Sequence, residues 1–505
     1  MRLQQFLQCM RKTRLLSHYF LRAAFLFSGF VVALGPTSRT LATESHPTPV
    51  SIERGTIYDR SGLVMARTEL NEGQNVRRYP YGSTAAHVIG YWNQNSADLS
   101  VPRGSGLEET MKQDLEVDER GFMSNLHLTI DMRFQRAIEA ALLSFKSSAL
   151  YENGMERRGA AVLMDVQNGN VLAMVSLPTF DPNEISSSAT AYSSYKKNIA
   201  SPLINRAILS YAPGVTFLPV TCLAGGMAGL HDKPYQCDGL VQYGNKSMKC
   251  WISVKGETHG VMHMQQALAS SCACYFFQLA NASGVDQMVK AGRAVGLGQG
   301  TGIELADDGG ILPGPEWLAA NRPNERWSDG YTANTAIGQG MVLATPLQLT
   351  VLYAAVANGG TVWKPRLIYK TNRHNTGQEE TLEKPPEHRA VLTDLGVAKD
   401  HLKTIQLGLE DVVQKTTARQ AVSEKISIAG RTGTAQNWLP NGRKDNHVWF
   451  CGYAPTDKPR WALTVMVQGG HAGGTIAAPI AKEIFEQVAA IESGELEVDM
   501  TPLSK

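Results

Sequence analysis

The sequence predicts an α+β fold, one large domain preceded by a smaller module. Three observations carry this. Residues 160–165 and 170–176 read as two strands joined through Gln167-Asn168-Gly169, and an Asn-Gly pair accepts the positive φ of a tight hairpin. Residues 449–455 and 461–467 read as two further strands, with a closing helix over 477–491. Phe134, Ile138, Leu142 and Phe145 recur at helical spacing, which predicts a connecting helix over 132–150.

Length and composition set the frame. A chain of 505 residues has ample core for these units, and 43% hydrophobic with 19% charged residues describes a globular protein. With 48 basic against 46 acidic residues the net charge is +2, which gives no reason to expect nucleic acid. The N-terminus stands apart. Residues 1–22 are a basic segment, and Arg2, Arg11, Lys12, Arg14, Arg22 and Arg39 all precede the first acidic residue, Glu44. Residues 23–35 contain an uncharged apolar run that is short for a membrane span, which needs roughly 20 residues. Two readings stand: a signal peptide cut near Leu41-Ala42, or a signal anchor lengthened back through Leu15, Leu16, Tyr19, Phe20 and Leu21. Both predict export of the chain beyond a linker at 36–50, with the basic flank held inside. Cys9 has no small residue before it and does not read as a lipoprotein site.

The other cysteines are Cys222, Cys237, Cys250, Cys272, Cys274 and Cys451. In an exported chain Cys237 and Cys250 form either a disulfide or two reduced thiols, and spacing does not choose between them. No Cys-x-x-Cys pair occurs and His259 with His263 lack a third ligand, so no metal and no cofactor are expected.

Within the first module, residues 54–62, Tyr79-Pro80, His87-Val88-Ile89-Gly90-Tyr91 and Gly104-Ser105-Gly106-Leu107-Glu108 read as turns and packing positions. The chain is organised around Tyr211-Ala212-Pro213-Gly214-Val215-Thr216-Phe217-Leu218-Pro219. A Pro-Gly turn feeding a helix start is how acyl-transfer enzymes present a serine, with a lysine one turn later on the same face. Here those places hold Val215 and Leu218.

From about residue 54 to about 491 the sequence resembles class B penicillin-binding proteins, whose run reads Tyr-x-Pro-Gly-Ser-Thr-Phe-Lys-Pro. The resemblance implies a mainly antiparallel sheet sandwiched by helices in a transpeptidase-like domain over 156–493, a short non-catalytic module over 51–155 and a tail over 494–505. Ser271-Cys272-Ala273 stands where the family has Ser-x-Asn, and Ala273 cannot make the hydrogen bonds of an asparagine. Arg431-Thr432-Gly433-Thr434-Ala435 stands where it has Lys-Thr-Gly-Thr-Ala. Residues 296–303, 334–340 and 345–348 match as scaffold, while 366–400 read as a polar surface insertion.

Acylation needs an oxygen nucleophile, a base and oxyanion donors, and Val215 and Leu218 supply neither of the first two. Ser193 with Lys196 and Ser194 with Lys197 repeat the Ser-x-x-Lys spacing but lack the Pro-Gly turn. What remains is a binding half: Arg431, Thr432, Gly433 and Thr434 to hold a carboxylate, and backbone N–H groups at Val215 and Thr434 to face an oxyanion. Two functions follow. One is an exported pseudoenzyme that binds or scaffolds in peptidoglycan assembly. The other is an active D,D-transpeptidase or carboxypeptidase with another nucleophile. The implied partners are a peptidoglycan stem peptide or β-lactam held non-covalently, a membrane glycan polymerase or division and elongation proteins, and the membrane itself through the N-terminal segment.

Overall fold

The computed structural model describes residues 53–93, 101–144, 158–231, 233–436, 446–470 and 472–503. The signal segment read at the N-terminus lies outside these, as does the end of the connecting helix beyond residue 144. Among the described residues no helix is long and apolar enough to cross a membrane.

The main sheet has five strands, in the spatial order Ala429–Ala435, His447–Ala454, Trp461–Gln468, Gly159–Asp165 and Val171–Leu177. All four pairings are antiparallel. Successive side chains of a strand point to opposite faces, and both faces here are buried, so the strands read as continuous apolar runs. Ala161, Leu163, Phe450, Leu463 and Val465 pack with Phe134 and Ile138 of the helix Met132–Ser144 and with Ile480, Ile484 and Val488 of the helix Ala477–Ser493. Each such aliphatic side chain, fully buried, contributes about 1.5–3 kcal/mol. The other face carries Val162, Met164, Trp449, Cys451 and Met466 and meets the wholly buried helix Pro346–Ala357. A sheet between helix layers is therefore what the apolar patterning builds. The hairpin turn closes with Gly169 alone at positive φ (75°), its N–H donating to the Asp165 carbonyl.

The smaller sheet corrects a boundary. Its six strands lie in the order Glu379–Glu383, Ile368–His374, Met123–Leu128, Ile57–Tyr58, Val64–Asn71 and Gln74–Arg78. The stretch read as a surface insertion thus supplies two strands to the N-terminal module, and residues 51–505 form one compact unit. The motifs of this module are structural: fully buried Glu108 receives Arg54 and Arg77 at 3.1 and 2.7 Å, and the Arg54 guanidinium lies 3.8 Å over Trp92.

Candidate functional site

The organising stretch is held from several sides. Tyr211 exchanges two backbone hydrogen bonds with Ala344, both 2.9 Å, and the Gly214 N–H donates to the Gly338 carbonyl at 3.1 Å. Gly338 has φ 64°, and a Cβ there would fall 2.1 Å from the Gly214 oxygen, so this approach admits only glycine. The 3₁₀ turn Gly214–Phe217 then runs into the helix Leu218–Met227. The Thr216 hydroxyl donates to the Pro213 carbonyl (2.8 Å), and the Tyr353 hydroxyl donates to the Thr216 carbonyl (3.0 Å). Val215 is half-buried at the cleft, whereas Leu218 is 1% exposed in the apolar core.

Two further walls complete a cleft of ≈ 840 Å³. Ser271, at φ 55°, and Ala273 come from the break between the helices Met264–Ser270 and Ala273–Ser283. Thr432, Gly433 and Thr434 come from the edge strand Ala429–Ala435, with Trp251 and Val254 at the rim. The structure brings Val215, Ser271, Ala273, Thr432, Gly433 and Thr434 to one cleft. It places Arg431 behind that wall and not at the cleft, where the sequence reading set it. That side chain is 0% exposed and is not among the residues lining the cleft. It lies near Tyr353, Cys222 and Cys451, and its Nη2 donates to Ser271 Oγ at 2.9 Å. Its Nε and Nη1 have no partner among the described residues, and burial draws its pKa below the usual arginine value. Enclosure of the guanidinium leaves Thr432 and Thr434 as the side chains of that motif placed to meet a ligand. Ser193, Ser194, Lys196 and Lys197 sit on the helix Ala189–Lys197 and do not line the cleft.

Comparison with known proteins places this arrangement. The penicillin binding protein transpeptidase domain family matches residues 159–486. The chain belongs to the class B penicillin-binding-protein family. A peptidoglycan D,D-transpeptidase MrdA of Acinetobacter baumannii is 32% identical over 465 residues, covering 82% of this chain. This chain spans 66% of that relative's length. Stage V sporulation protein D of Bacillus subtilis is 29% identical over 446 residues, covering 81% of this chain and 63% of that protein. Among solved structures, Pseudomonas aeruginosa PBP2 in complex with WCK 5153 superposes with a TM-score of 0.74 at 29% identity, covering 90% of this chain and 100% of that one. The α+β class and the family resemblance both stand.

This penicillin-binding-protein cleft has a neighbour that sequence reasoning missed. Cys237 ends a strand, Tyr235–Cys237, paired antiparallel with Gly260–Met262 so that Gly260 lies opposite Cys237 and His259 is brought alongside. The His259 Nδ1 is 3.5 Å from Cys237 Sγ and 3.6 Å from Cys250 Sγ. Cys272 joins from the helix break, and the four ligand atoms all lie within 4.8 Å of one another. The further ligands that His259 lacks in the local sequence, on which the expectation of no metal rests, are supplied here by convergence in the fold. In this structure Cys237 and Cys250 are not bonded to each other. Three thiolates and an imidazole are a donor set of structural zinc, whose bonds of about 2.0–2.3 Å set ligand atoms about 3.5–4 Å apart. The residues fit such an ion: Cys237, Cys250, His259 and Cys272 would hold it and would tie four separate turns together. The ligands come from separate turns, so no short motif announces them. The clustering of three cysteines and a histidine between 237 and 272 was the available signal.

Proposed function

We propose that this family member acts in peptidoglycan assembly by binding or scaffolding, without acyl transfer. The observation that carries the reading is Val215 at the cleft with Leu218 buried behind it, where the family places a nucleophile and its base. Valine offers neither lone pair nor proton, and loss of the nucleophile in a serine hydrolase costs about 10⁶ in turnover. The relatives are named as D,D-transpeptidases, which supports a stem peptide or β-lactam as the class of molecule that this cleft holds non-covalently. The N-terminal charge pattern supports export and anchoring at the membrane, with a glycan polymerase or division and elongation proteins as partners.

The test is labelling with a fluorescent penicillin. The exported portion is expected to show no label that survives denaturation. A stoichiometric adduct mapped by mass spectrometry to Ser193, Ser194 or Ser271 would overturn the reading and favour an active enzyme with another nucleophile.

A further inference from the structure

A row of side chains crosses the main sheet on the face that meets the helix Pro346–Ala357. Arg431 lies opposite Cys451, Cys451 opposite Thr464 and Thr464 opposite Val162. Trp449, two residues from Cys451 on the same strand, stands on this face in the next row. Arg431, Thr464 and Trp449 are all buried. Arg431 Nη2 donates to Ser271 Oγ, whereas Arg431 Nε and Nη1, Trp449 Nε1 and Thr464 Oγ1 have no partner among the described residues. Of these orphaned groups, every one but the hydroxyl can only donate. The guanidinium also keeps its charge, since arginine does not deprotonate in proteins. The ionisable groups near it are Tyr353, Cys222 and Cys451. Burial raises the pKa of all three, that of Cys451 to about 12, so each stays neutral and none offsets the cation. A buried cation without a counter-charge is costly, and water alone would satisfy its N–H groups without neutralising it.

We propose that Arg431, with Trp449 and Thr464 beside it, holds a chloride ion between the main sheet and the helix Pro346–Ala357. The Nε–H and Nη1–H groups of Arg431 donate to the ion, and the indole N–H and the hydroxyl add donors from the neighbouring positions. Enclosure selects the size of the anion. Arg431 is 0% exposed and does not line the cleft, so a carboxylate borne on a peptide in the cleft does not reach these donors. A monatomic ion needs only about the space of one buried water. Chloride on one side of the guanidinium leaves Nη2 on Ser271 Oγ, where it joins the edge strand to the helical wall of the cleft. The ion is thus a support of the cleft and not a ligand within it.

The experiment uses the full chain at constant ionic strength, with chloride exchanged for gluconate, an anion too large for the site. The melting midpoint should rise by about 3 °C as chloride goes from below its dissociation constant to about 100 times above it. Bromide should act as chloride does, and crystals grown in bromide should show an anomalous peak against Nε or Nη1 of Arg431. Arg431→Met replaces the cation by an uncharged chain and should melt at the same temperature in both salts. If that variant does not fold, the bromide crystals of the parent decide alone. The proposal is overturned if the parent melts alike in chloride and gluconate, if no bromide peak lies at the guanidinium, or if Arg431→Met keeps the chloride response. It is overturned equally by thiolate absorbance at neutral pH that Cys222→Ser or Cys451→Ser abolishes, since a thiolate would then be the counter-charge. A penicillin adduct in the separate labelling experiment would overturn the pseudoenzyme reading and leave this one standing.

Discussion

Leu218 is 1% exposed and belongs to the apolar core, so a lysine in its place would carry an ammonium into surroundings with few acceptors. Leu218→Lys alone is expected to lower stability by about 3 kcal/mol or more, read as a fall in the melting midpoint by circular dichroism. Adding Val215→Ser and Ala273→Asn supplies a hydroxyl and an amide as partners. The triple variant should regain part of that stability and acylate slowly with a β-lactam, while Val215→Ser alone acylates far less. A well-folded triple variant with no acylation would mean that the family's site does not transfer to these positions. A second residue sets a pH response. His87 is buried, its Nε2 bonded to the Pro202 carbonyl at 2.7 Å, and burial draws its pKa from 6.5 to about 4. The unfolded chain therefore binds a proton below 6.5 that the folded chain refuses until about 4. Stability contributed by neutral His87 is fully present above 6.5 and is lost as pH falls through that window, by about 3 kcal/mol. His87→Gln should flatten the slope of melting midpoint against pH between 6.5 and 4; an unchanged slope would remove His87 from the account.

At the scale of elements, the strand Ile368–His374 lies between Glu379–Glu383 and Met123–Leu128 and pairs with both. Thr371 is opposite Leu126 on one side and Leu382 on the other. Thr371→Pro should remove a ladder donor inside this sheet and lower the denaturation midpoint by the equivalent of about 3 kcal/mol. A neutral effect would return the stretch to the surface insertion that its composition suggests. The contrast shows what a sequence displays. Gly159–Asp165 and Val171–Leu177 were legible because both faces are buried and every position before the terminal Asp165, and throughout the second strand, is apolar or small. Glu379–Glu383 was not legible, since an edge strand exposed along its whole length has no apolar face to register a period. Among site residues, Val215, Ser271 and Ala273 were readable from the turns that carry them, and Thr434 from its place on a strand. Arg431 was misread because a charged residue is expected at a surface, and only packing reveals that Ser271 is the one hydrogen-bond partner of its side chain among the described residues. The cysteine cluster escaped because its members meet across four turns.

For the whole molecule, the central pairing of the main sheet joins Gly159–Asp165 to Trp461–Gln468, with Gly159 opposite Val467. The helix Ala477–Ser493 covers the same face as the helix Met132–Ser144. A chain ending at residue 460 should therefore leave the 159–177 hairpin without its neighbour and without that cover. Amide exchange over 160–176 should then be close to that of an unfolded chain. Protection there comparable to that of the whole chain would contradict this. The sheet order also has a bearing on synthesis. The ribosome delivers one edge of the sheet early and the strand that must lie beside it some three hundred residues later, at about 5–20 residues each second. For that interval an apolar hairpin waits unpaired, open to other chains along its Gly159–Asp165 edge. The hazard of misassembly for this protein is thereby set by the time between two strands and not by the stability of the finished fold.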